Sequence, residues 1–183
     1  MSSHWYDWHA PYDEPGSPLD RRLRIVQSQV AGWLRGRGRQ QLRVVSACAG
    51  QGRDLLEVLG AAPSVRARLV ELDPDNVAAA ERAARAAGLD GVQVVCADAG
   101  WTDAYAGAVP ADLVLMCGVF GNISDDDVHR TVGLLPQLCA AGATVIWTRS
   151  RRAPDLTPSI RSWFGEVGFV EQAFEAPHDA LFS

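Results

Sequence analysis

Glycines and carboxylates follow three apolar runs of this sequence, at the point where each run ends. The run LRVVSAC, residues 42–48, is followed by AGQG, which contains Gly50 and Gly52. RARLVEL is followed by Asp73, and VQVVCA by Asp98. Glycine lets a backbone turn sharply against a ligand, and a carboxylate accepts hydrogen bonds from hydroxyl or amino groups. The order of these features therefore predicts a site that holds a nucleoside, with Asp73 on the ribose diol and Asp98 on an adenine amine.

The same turn lacks the residues that a phosphate site needs. A dinucleotide-binding fingerprint would place a third glycine at position 55, which is leucine, and a P-loop needs a lysine, of which the chain has none. We therefore expect no pyrophosphate-binding site. A nicotinamide-dependent oxidoreductase shares the strand-end ribose acid, but it requires a pyrophosphate-binding site and is the less favoured interpretation.

Apolar periodicity places these turns within an alternation of strands and helices. The predicted strands are 42–48, 66–72, 92–98, 111–118, 143–149 and 169–174. The predicted helices are 18–34, 52–60, 76–88, 125–142 and 157–168. Near-continuous apolar strands separated by helices are typical of a parallel sheet covered on both faces. The expected fold class is α/β: a three-layer, doubly wound, mostly parallel sheet preceded by an N-terminal helix.

Length and composition favour one globular domain. The chain has 183 residues, of which 48% are hydrophobic and 21% charged, enough to bury a core. Residues 1–40 are expected to form an N-terminal lid and helix, and residues 41–183 the cofactor-binding core.

Net charge, apolar run lengths and cysteine spacing argue against nucleic-acid binding, a membrane partner and a metal site. A net charge of −5 argues against a sequence-independent grip on nucleic acid. The chain has no apolar stretch of about 18 residues and no basic-then-apolar leader, so we expect a cytoplasmic protein without a membrane partner. Its four cysteines lack the spacing of metal ligands, and no metal site is expected.

Taken together, the motifs resemble those of the class I S-adenosylmethionine-dependent methyltransferases, which have a Rossmann-like fold. VVSACAGQG resembles their first motif, LVELDPDNV the second, VVCADAG the third and ADLVLMCGVFGNI the fourth, across roughly residues 40–175. The resemblance implies S-adenosyl-L-methionine as cofactor and S-adenosyl-L-homocysteine as product. The cofactor-binding residues that it implies are Cys48, Ala49, Gly50, Gly52, Asp54, Asp73, Pro74, Asp98, Ala99, Cys117 and Gly118.

Three features depart from the family pattern. Ser46 stands where the first motif usually has an acid that helps to hold the methionine ammonium, and Cys48 replaces the first glycine. The family usually ends in a β-hairpin whose last strand joins the sheet, whereas this sequence stops at DALFS. We therefore expect a final edge strand that is short or missing.

Candidates for the acceptor side lie in three segments, of which WTRSRR, with Trp147 and Arg149, is expected to be a solvated loop rather than a contact to an anionic acceptor. The stretch HWYDWHAPYDEP is rich in aromatic, histidine and acidic residues, and as a lid it would allow His9, Tyr6, Tyr12 or Asp13 to orient or deprotonate an acceptor. An aromatic clasp that packs this leader onto the domain is the alternative. After the fourth strand, Phe120 would line a pocket and Asn122 would donate a hydrogen bond, although turn chemistry explains Asn122 equally well.

The resemblance implies in-line methyl transfer from S-adenosylmethionine to a small-molecule acceptor. Such a displacement needs alignment and desolvation more than a fixed catalytic residue. The expected partner is the small-molecule acceptor, with the protein a monomer or homodimer. The alternative is a catalytically inactive module that binds S-adenosylmethionine or S-adenosylhomocysteine as a sensor or partner subunit.

Overall fold

The computed structural model describes residues 12–37, 41–60, 64–177 and 182. Within them one five-stranded sheet has the spatial order β3-β2-β1-β4-β5, and its strands pair in parallel. The strands are β1 (Leu42–Ala47), β2 (Val65–Glu71), β3 (Val92–Cys96), β4 (Ala111–Met116) and β5 (Cys139–Trp147). The α-helices are α1 (Pro18–Arg35), α2 (Leu56–Leu59), α3 (Pro74–Ala86), α4 (Asp125–Leu134) and α5 (Thr157–Glu166). The predicted α/β class is confirmed.

Helices cover both faces of the sheet because successive residues of a strand point to opposite sides. Val44 and Leu113 lie in one core with residues of α1, α2 and α3, whereas Val45 and Val114 lie in the other with residues of α4 and α5. All four side chains are at most 1% exposed. This confirms the predicted three layers.

The order of the strands reverses between β1 and β4. From β1 the chain moves outward to β2 and β3, and then returns to the other side of β1 for β4 and β5. The connections that leave β1 and β4 lead to helices on opposite faces, which opens a crevice at the carboxyl ends of these strands. The loop 48–55 and the turn 117–124 border this crevice.

The helix predicted over 52–60 is largely wrong, since only Leu56–Leu59 is helical. Gly52 has a φ of 76°, and Leu55 a φ of −123°. Neither angle fits a right-handed helix. Residues 48–55 therefore form a looped turn, which is the part of this region that faces the crevice.

The helix predicted over 125–142 is too long. It ends at Leu134, a 3-10 turn covers Leu135–Gln137, and Cys139 already pairs with Ala111 of β4. Pro136 has no backbone N–H, and its ring clashes with the carbonyl one turn earlier in a helix. The small residues after it favoured helix by propensity, but pairing with β4 places them in the strand.

The strand predicted over 169–174 is absent from the described structure. Its residues are anchored by side chains: Phe169 packs on the second core, and Glu171 forms a two-pronged ion pair with Arg161 at 2.7 Å. Val170 is 78% exposed. Further along, Phe182 makes an isolated antiparallel bridge with Ser150. Among the helices that the structure describes, none combines the length and apolar character needed to cross a bilayer.

Candidate functional site

The loop 48–55, called the glycine loop, has left-handed backbone angles and forms the floor of the crevice beyond β1. Cys48, Gly50 and Gly52 have φ angles of 49°, 55° and 76°, and the Ala49 N–H donates to the carbonyl of Val70 at 3.0 Å. A Cβ atom on Gly52 would lie 2.6 Å from Cδ1 of Leu56 and 2.9 Å from Cδ2 of Leu69. Gly52 is therefore required by both its backbone angle and its packing.

Glu71, which the sequence motifs did not single out, holds this loop to β2. It is the last residue of β2 and is 8% exposed. Its Oε2 accepts from the N–H of Gly50 at 2.7 Å, and its Oε1 accepts from the N–H of Asp73 at 2.9 Å. The available signal was an acid about 20 residues after the glycine turn, the spacing of a ribose-binding carboxylate.

Asp73 and Pro74 begin helix α3. One carboxylate oxygen of Asp73 accepts from the N–H groups of Asp75 at 2.9 Å and Asn76 at 3.0 Å, and Pro74 is the first helical residue. This is an N-cap, which satisfies amides that have no partner inside the helix. A contact of Asp73 with a nucleoside stays a prediction.

Asp98 follows β3 on the neighbouring strand end, as predicted. Its carboxylate accepts from the N–H of Gly100 at 2.8 Å and remains exposed. The hydroxyl of Tyr105 donates to the carbonyl of Ala99 at 2.7 Å. Burial raises the pKa of Tyr105 above its usual range, with further contributions from Cys48 and Asp98, so this phenol is neutral and serves to fix the loop after β3.

The Cys48 thiol begins the loop after β1, and the carboxylates of Glu71 and Asp98 act on it electrostatically. Its side chain reaches the surface, yet partial desolvation by the surrounding loops, followed by the charges of Glu71 and Asp98, raises its pKa to about 11. The thiol itself is neutral near pH 7 and is not an activated nucleophile.

The turn after β4 forms the other border of the crevice. Cys117 is buried, Gly118 has a φ of 77°, and its N–H donates to Oγ1 of Thr148 at 3.0 Å. The Nδ2 of Asn122 donates to the carbonyl of Gly118 at 2.5 Å. Asn122 thus stabilises the turn itself, and its donation to an acceptor stays a prediction.

Phe120 does not line an open pocket, contrary to expectation. It is fully buried, with ring centroids 5.9 Å from Trp147 and 6.4 Å from Phe164. Its carbonyl accepts from Arg149, which also pairs with Asp125 at 3.3 Å. Phe120 follows an apolar run, and that pattern does not distinguish a ring that faces a ligand from a ring buried in the second core.

The leader is clasped onto the glycine loop where the structure describes it. Tyr12 is buried, and Asp13 pairs with Arg53 at 2.6 Å. Burial raises the pKa of Tyr12 above its usual range, so its phenol stays protonated at neutral pH and is unsuited to act as a base. Tyr6 and His9 lie outside the described residues, and their catalytic roles stay predictions.

Arg22 of α1, also not selected from the sequence, joins the leader to two segments, the loop after β1 and the segment after β5. Its Nη2 donates to the hydroxyl of Tyr12 and to Asp54, the latter at 3.0 Å. Its Nη1 donates to Oγ1 of Thr148 at 3.2 Å. Asp54 was predicted to bind the cofactor, and the structure gives it this ion pair. Arg22 read as one polar residue of an amphipathic helix, and only its burial distinguishes it.

A cavity of about 1070 Å³ opens beside this cluster, between α1, β5, α5 and the segment after α5. Arg22 and Thr148 are on its wall, but Gly50, Glu71 and Asp98 are not. It is therefore distinct from the side of the crevice that Gly50, Glu71 and Asp98 border. In the part of the chain that the structure describes, no group of three or more His, Cys, Asp or Glu side chains is arranged to hold a metal ion.

No protein-family model and no curated protein matches the chain. Among solved structures, magnesium protoporphyrin IX methyltransferase from Synechocystis PCC 6803 with bound S-adenosylmethionine is similar, at 18% identity and a TM-score of 0.69, over 92% of this chain and 82% of that one. Precorrin-6y C5,15-methyltransferase from Geobacter metallireducens is similar at 13% identity and a TM-score of 0.62, over 79% and 71%.

A S-adenosylmethionine-dependent methyltransferase from Thiobacillus denitrificans in complex with S-adenosyl-L-homocysteine gives a TM-score of 0.53 at 20% identity, over 68% of this chain. The chain spans about half of that protein, 47% of its length. These likenesses concern the arrangement of the sheet and its helices. The chain has the Rossmann-like fold of the class I S-adenosylmethionine-dependent methyltransferases.

Proposed function

We propose that this protein binds S-adenosylmethionine at the carboxyl ends of β1, β2 and β3 and transfers its methyl group to a small-molecule acceptor. The observation that carries the proposal is the Glu71 carboxylate at the carboxyl end of β2, bonded at 2.7 Å to the N–H of Gly50 in the loop that leaves β1 beside the switch point. Through this hydrogen bond Glu71 connects the glycine loop to β2, the strand next to β1. Doubly wound sheets bind nucleotides at this place.

In this proposal Glu71, rather than Asp73, accepts the ribose hydroxyls. Both acids follow the same apolar run, but the oxygen of Asp73 that caps α3 already accepts from two backbone amides. Glu71 lies at the strand end itself, against the glycine loop. A carboxylate has about four acceptor positions, so Glu71 can keep the Gly50 amide while it receives a hydroxyl.

The adenine would lie between the ends of β2 and β3, beside Asp98. Two large apolar side chains are exposed there, Leu72 at 65% and Trp101 at 71%. Each is close in sequence to a strand-end acid. A flat aromatic ligand would cover apolar surface that is otherwise in water, and Asp98 would accept from its amine.

The chemistry of transfer asks little of the protein beyond placement. S-Adenosylmethionine supplies a methyl group on a sulfonium, and the acceptor atom displaces the thioether as the new bond forms. The residues of the chain would hold the two molecules in line and exclude water. Burial raises the pKa of Tyr12, so its phenol is protonated at neutral pH. This phenol therefore does not act as a general base in the proposal.

Isothermal titration with S-adenosylmethionine and S-adenosylhomocysteine, with NAD as the unrelated nucleotide, tests the cofactor. Glu71→Gln should weaken both adenosyl ligands at least about tenfold, because a hydrogen bond to a charged acceptor is lost. Glu81→Gln is the matched control, since Glu81 is on the outer face of α3 in an exposed pair with Arg85. A folded protein that binds neither adenosyl ligand, or prefers NAD, contradicts the proposal.

Tritiated S-adenosylmethionine then tests the acceptor class. Incubation with fractionated cell extract should place label in compounds of low mass. Label in protein or nucleic acid would contradict a small-molecule acceptor.

A second function, an inactive binding module, has its own support. Cys48 has a φ of 49°, an angle that costs a residue with a Cβ about 1 kcal/mol, and Ser46 is buried in β1 without a charge. Both departures are in the glycine motif. Tight binding of the adenosyl ligands without formation of S-adenosylhomocysteine in any extract fraction would favour this alternative.

A further inference from the structure

The outer side of β5 has no strand beside it in the part of the chain that the structure describes. β5 ends the sheet order, and its residues 144–147 pair one by one with residues 113–116 of β4. No backbone hydrogen bond joins the other side of this stretch to a described segment. The outward N–H and C=O groups of such an edge are a template for another chain.

The composition of β5 does little to prevent such pairing. Natural edge strands are usually protected by charged residues, by proline or by bulges. Residues 139–147 read CAAGATVIW, without a charge or a proline. An irregular register between Cys139 and Thr144 bends the first half of the strand. The second half, residues 144–147, is left as a regular and uncharged edge.

The cavity of about 1070 Å³ follows this edge along its whole length, and we call it the β5 groove. Its wall contains every residue from 139 to 148, with α1 on one side and α5 and residues 167–175 on the other. Val145 and Ile146 are only half-buried, whereas their partners on β4, Val114 and Leu115, are fully buried. Both cores are therefore incompletely covered at the β5 groove.

Both walls of the β5 groove are apolar. Ile146 packs on the first core beside Val26 and Trp33 of α1, and Val145 packs on the second core beside Phe164 of α5. Successive side chains of a strand point to opposite faces of a sheet. A strand in the groove would thus place alternate side chains against each wall, and it would need apolar residues on both faces.

The shape and chemistry of the groove favour a lone extended segment over other occupants. A second copy would bring its own β5 together with its own helices, and these would meet the walls before the two edges could pair. An apolar small molecule would cover the walls but leave the outward backbone groups of residues 144–147 without partners. An extended polypeptide segment can satisfy the walls and the edge together.

The two ends of the groove define the direction of that segment. At the carboxyl end of β5, Ser150 forms an antiparallel bridge with Phe182, which is on the groove wall. Arg37 is on the wall at the other end, because α1 leads into the start of β1. Its guanidinium lies 5.1 Å from the ring centroid of Trp33 and has no acidic partner among the described residues. An antiparallel segment would bring its carboxyl end to this cation.

We propose that the β5 groove binds an extended, apolar segment of another polypeptide, antiparallel to β5, with a carboxylate at its carboxyl end against Arg37. Arg37 follows Arg22, which bonds Thr148, by about 22 Å along α1. An extended chain covers this distance in about seven residues. The interaction surface is separate from the proposed methyl-transfer site and does not depend on it.

A synthetic peptide tests the strand pairing. Fluorescence anisotropy would follow a labelled seven-residue peptide of valine, isoleucine and threonine with a free carboxyl end. Two further versions carry N-methyl groups on the odd or on the even residues. Because the carboxylate fixes the register and alternate N–H groups face β5, one version should bind at least about tenfold more weakly and the other like the parent. Equal affinities for the two versions would overturn the pairing and leave only apolar contact.

The carboxylate is tested by charge reversal. Amidation of the peptide's carboxyl end should weaken binding by about fivefold or more, and in Arg37→Glu the amide should bind more tightly than the acid. Arg35→Glu is the matched control, since Arg35 is exposed in the last turn of α1 and is not on the groove wall. It should keep the preference for the acid. An unchanged preference in Arg37→Glu contradicts the assignment.

Amide hydrogen exchange locates the peptide. Binding should slow exchange at residues 144–148 and leave β3, the opposite edge of the sheet, unchanged. Protection of β3 instead, or no binding of the parent peptide up to about 1 mM, overturns the proposal. A peptide-free dimer in analytical ultracentrifugation with β5 already protected would assign the groove to a second copy and contradict it as well.

Discussion

At the residue scale, three left-handed positions shape the loop that leaves β1. Glycine adopts such angles without cost, whereas a residue with a Cβ does not. Gly52 is further confined because its α-carbon faces Leu56 and Leu69. Cys48 shares the angle but keeps its side chain at the surface. The loop thus depends on Gly52 for its fold, whereas Cys48 tolerates the left-handed angle with its side chain at the surface.

Gly52→Ala should lower the free energy of unfolding by about 2 kcal/mol, because the new methyl group would lie within 3 Å of two leucine side chains at a φ of 76°. Gly133→Ala is the control: Gly133 is in α4, and a Cβ there meets nothing within 4 Å. That change should stabilise by about 0.5–1 kcal/mol. Urea unfolding measures both, and equal midpoints would refute the packing argument.

Alkylation of Cys48 should be slow at neutral pH and should accelerate with alkali. Its pKa of about 11 leaves about one thiolate in a thousand at pH 8. Peptide mapping after timed iodoacetamide treatment should show a rate that rises about tenfold per pH unit to at least pH 10. An unstructured cysteine peptide levels off near pH 9, and the same profile for Cys48 would contradict the raised pKa.

At the element scale, caps and strand pairing set the boundaries that propensity alone missed. Asp73 begins α3 with two amide bonds, and Pro74 supplies the first helical residue. Pro136 interrupts the pattern after α4, and β5 then begins at Cys139 in register with Ala111. A proline lies beside each of these boundaries, and its fixed φ and missing N–H favour the start of a helix and disfavour its continuation.

Asp73→Ala should lower the free energy of unfolding by about 1 kcal/mol, since two amides at the start of α3 lose their acceptor. Asp73→Ser should retain most of that stability because a serine hydroxyl also caps. Chemical unfolding measures the cap. Titration with S-adenosylhomocysteine should give the serine variant the affinity of the unaltered protein, and a large loss there would return the ribose contact to Asp73.

At the scale of the whole molecule, the thiols and phenols whose pKa values are raised by desolvation should make the fold sensitive to alkali. Burial raises the pKa values of Tyr12, Tyr105, Cys48, Cys117 and Cys139. These groups ionise more readily in the unfolded chain, where a cysteine has a pKa near 8.5–9 and a tyrosine near 10. Their contribution to stability is complete below pH 8 and falls as the pH rises through these values.

The Tm should therefore decrease steadily between pH 8.5 and about 10.5, a window that follows from the unfolded-state pKa values. Differential scanning calorimetry in buffers of constant ionic strength would record it. Tyr105→Phe removes one of the five groups and should flatten the decline. A Tm that stays level or rises over this window would contradict the raised pKa values.

The sequence by itself determined the class of fold and the position of the glycine loop after the first strand. Alternating apolar runs with short connections leave a parallel sheet between two helical layers as the arrangement that buries them all. Gly50, Gly52 and Asp98 could be selected because glycine and strand-end acids have local meanings. For the same reason Asp73 was selected, since it follows an apolar run and precedes a helix that begins with proline.

The tertiary structure decided which polar residues face one another. Glu71 and Arg22 looked like ordinary members of a strand and a helix, and only their burial against Gly50 and Asp54 sets them apart. Phe120, by contrast, was expected to line a pocket but is buried in the second core. Local pattern reports the backbone state of a residue, but burial and pairing depend on chain segments that are distant in sequence, and folding alone brings those segments together.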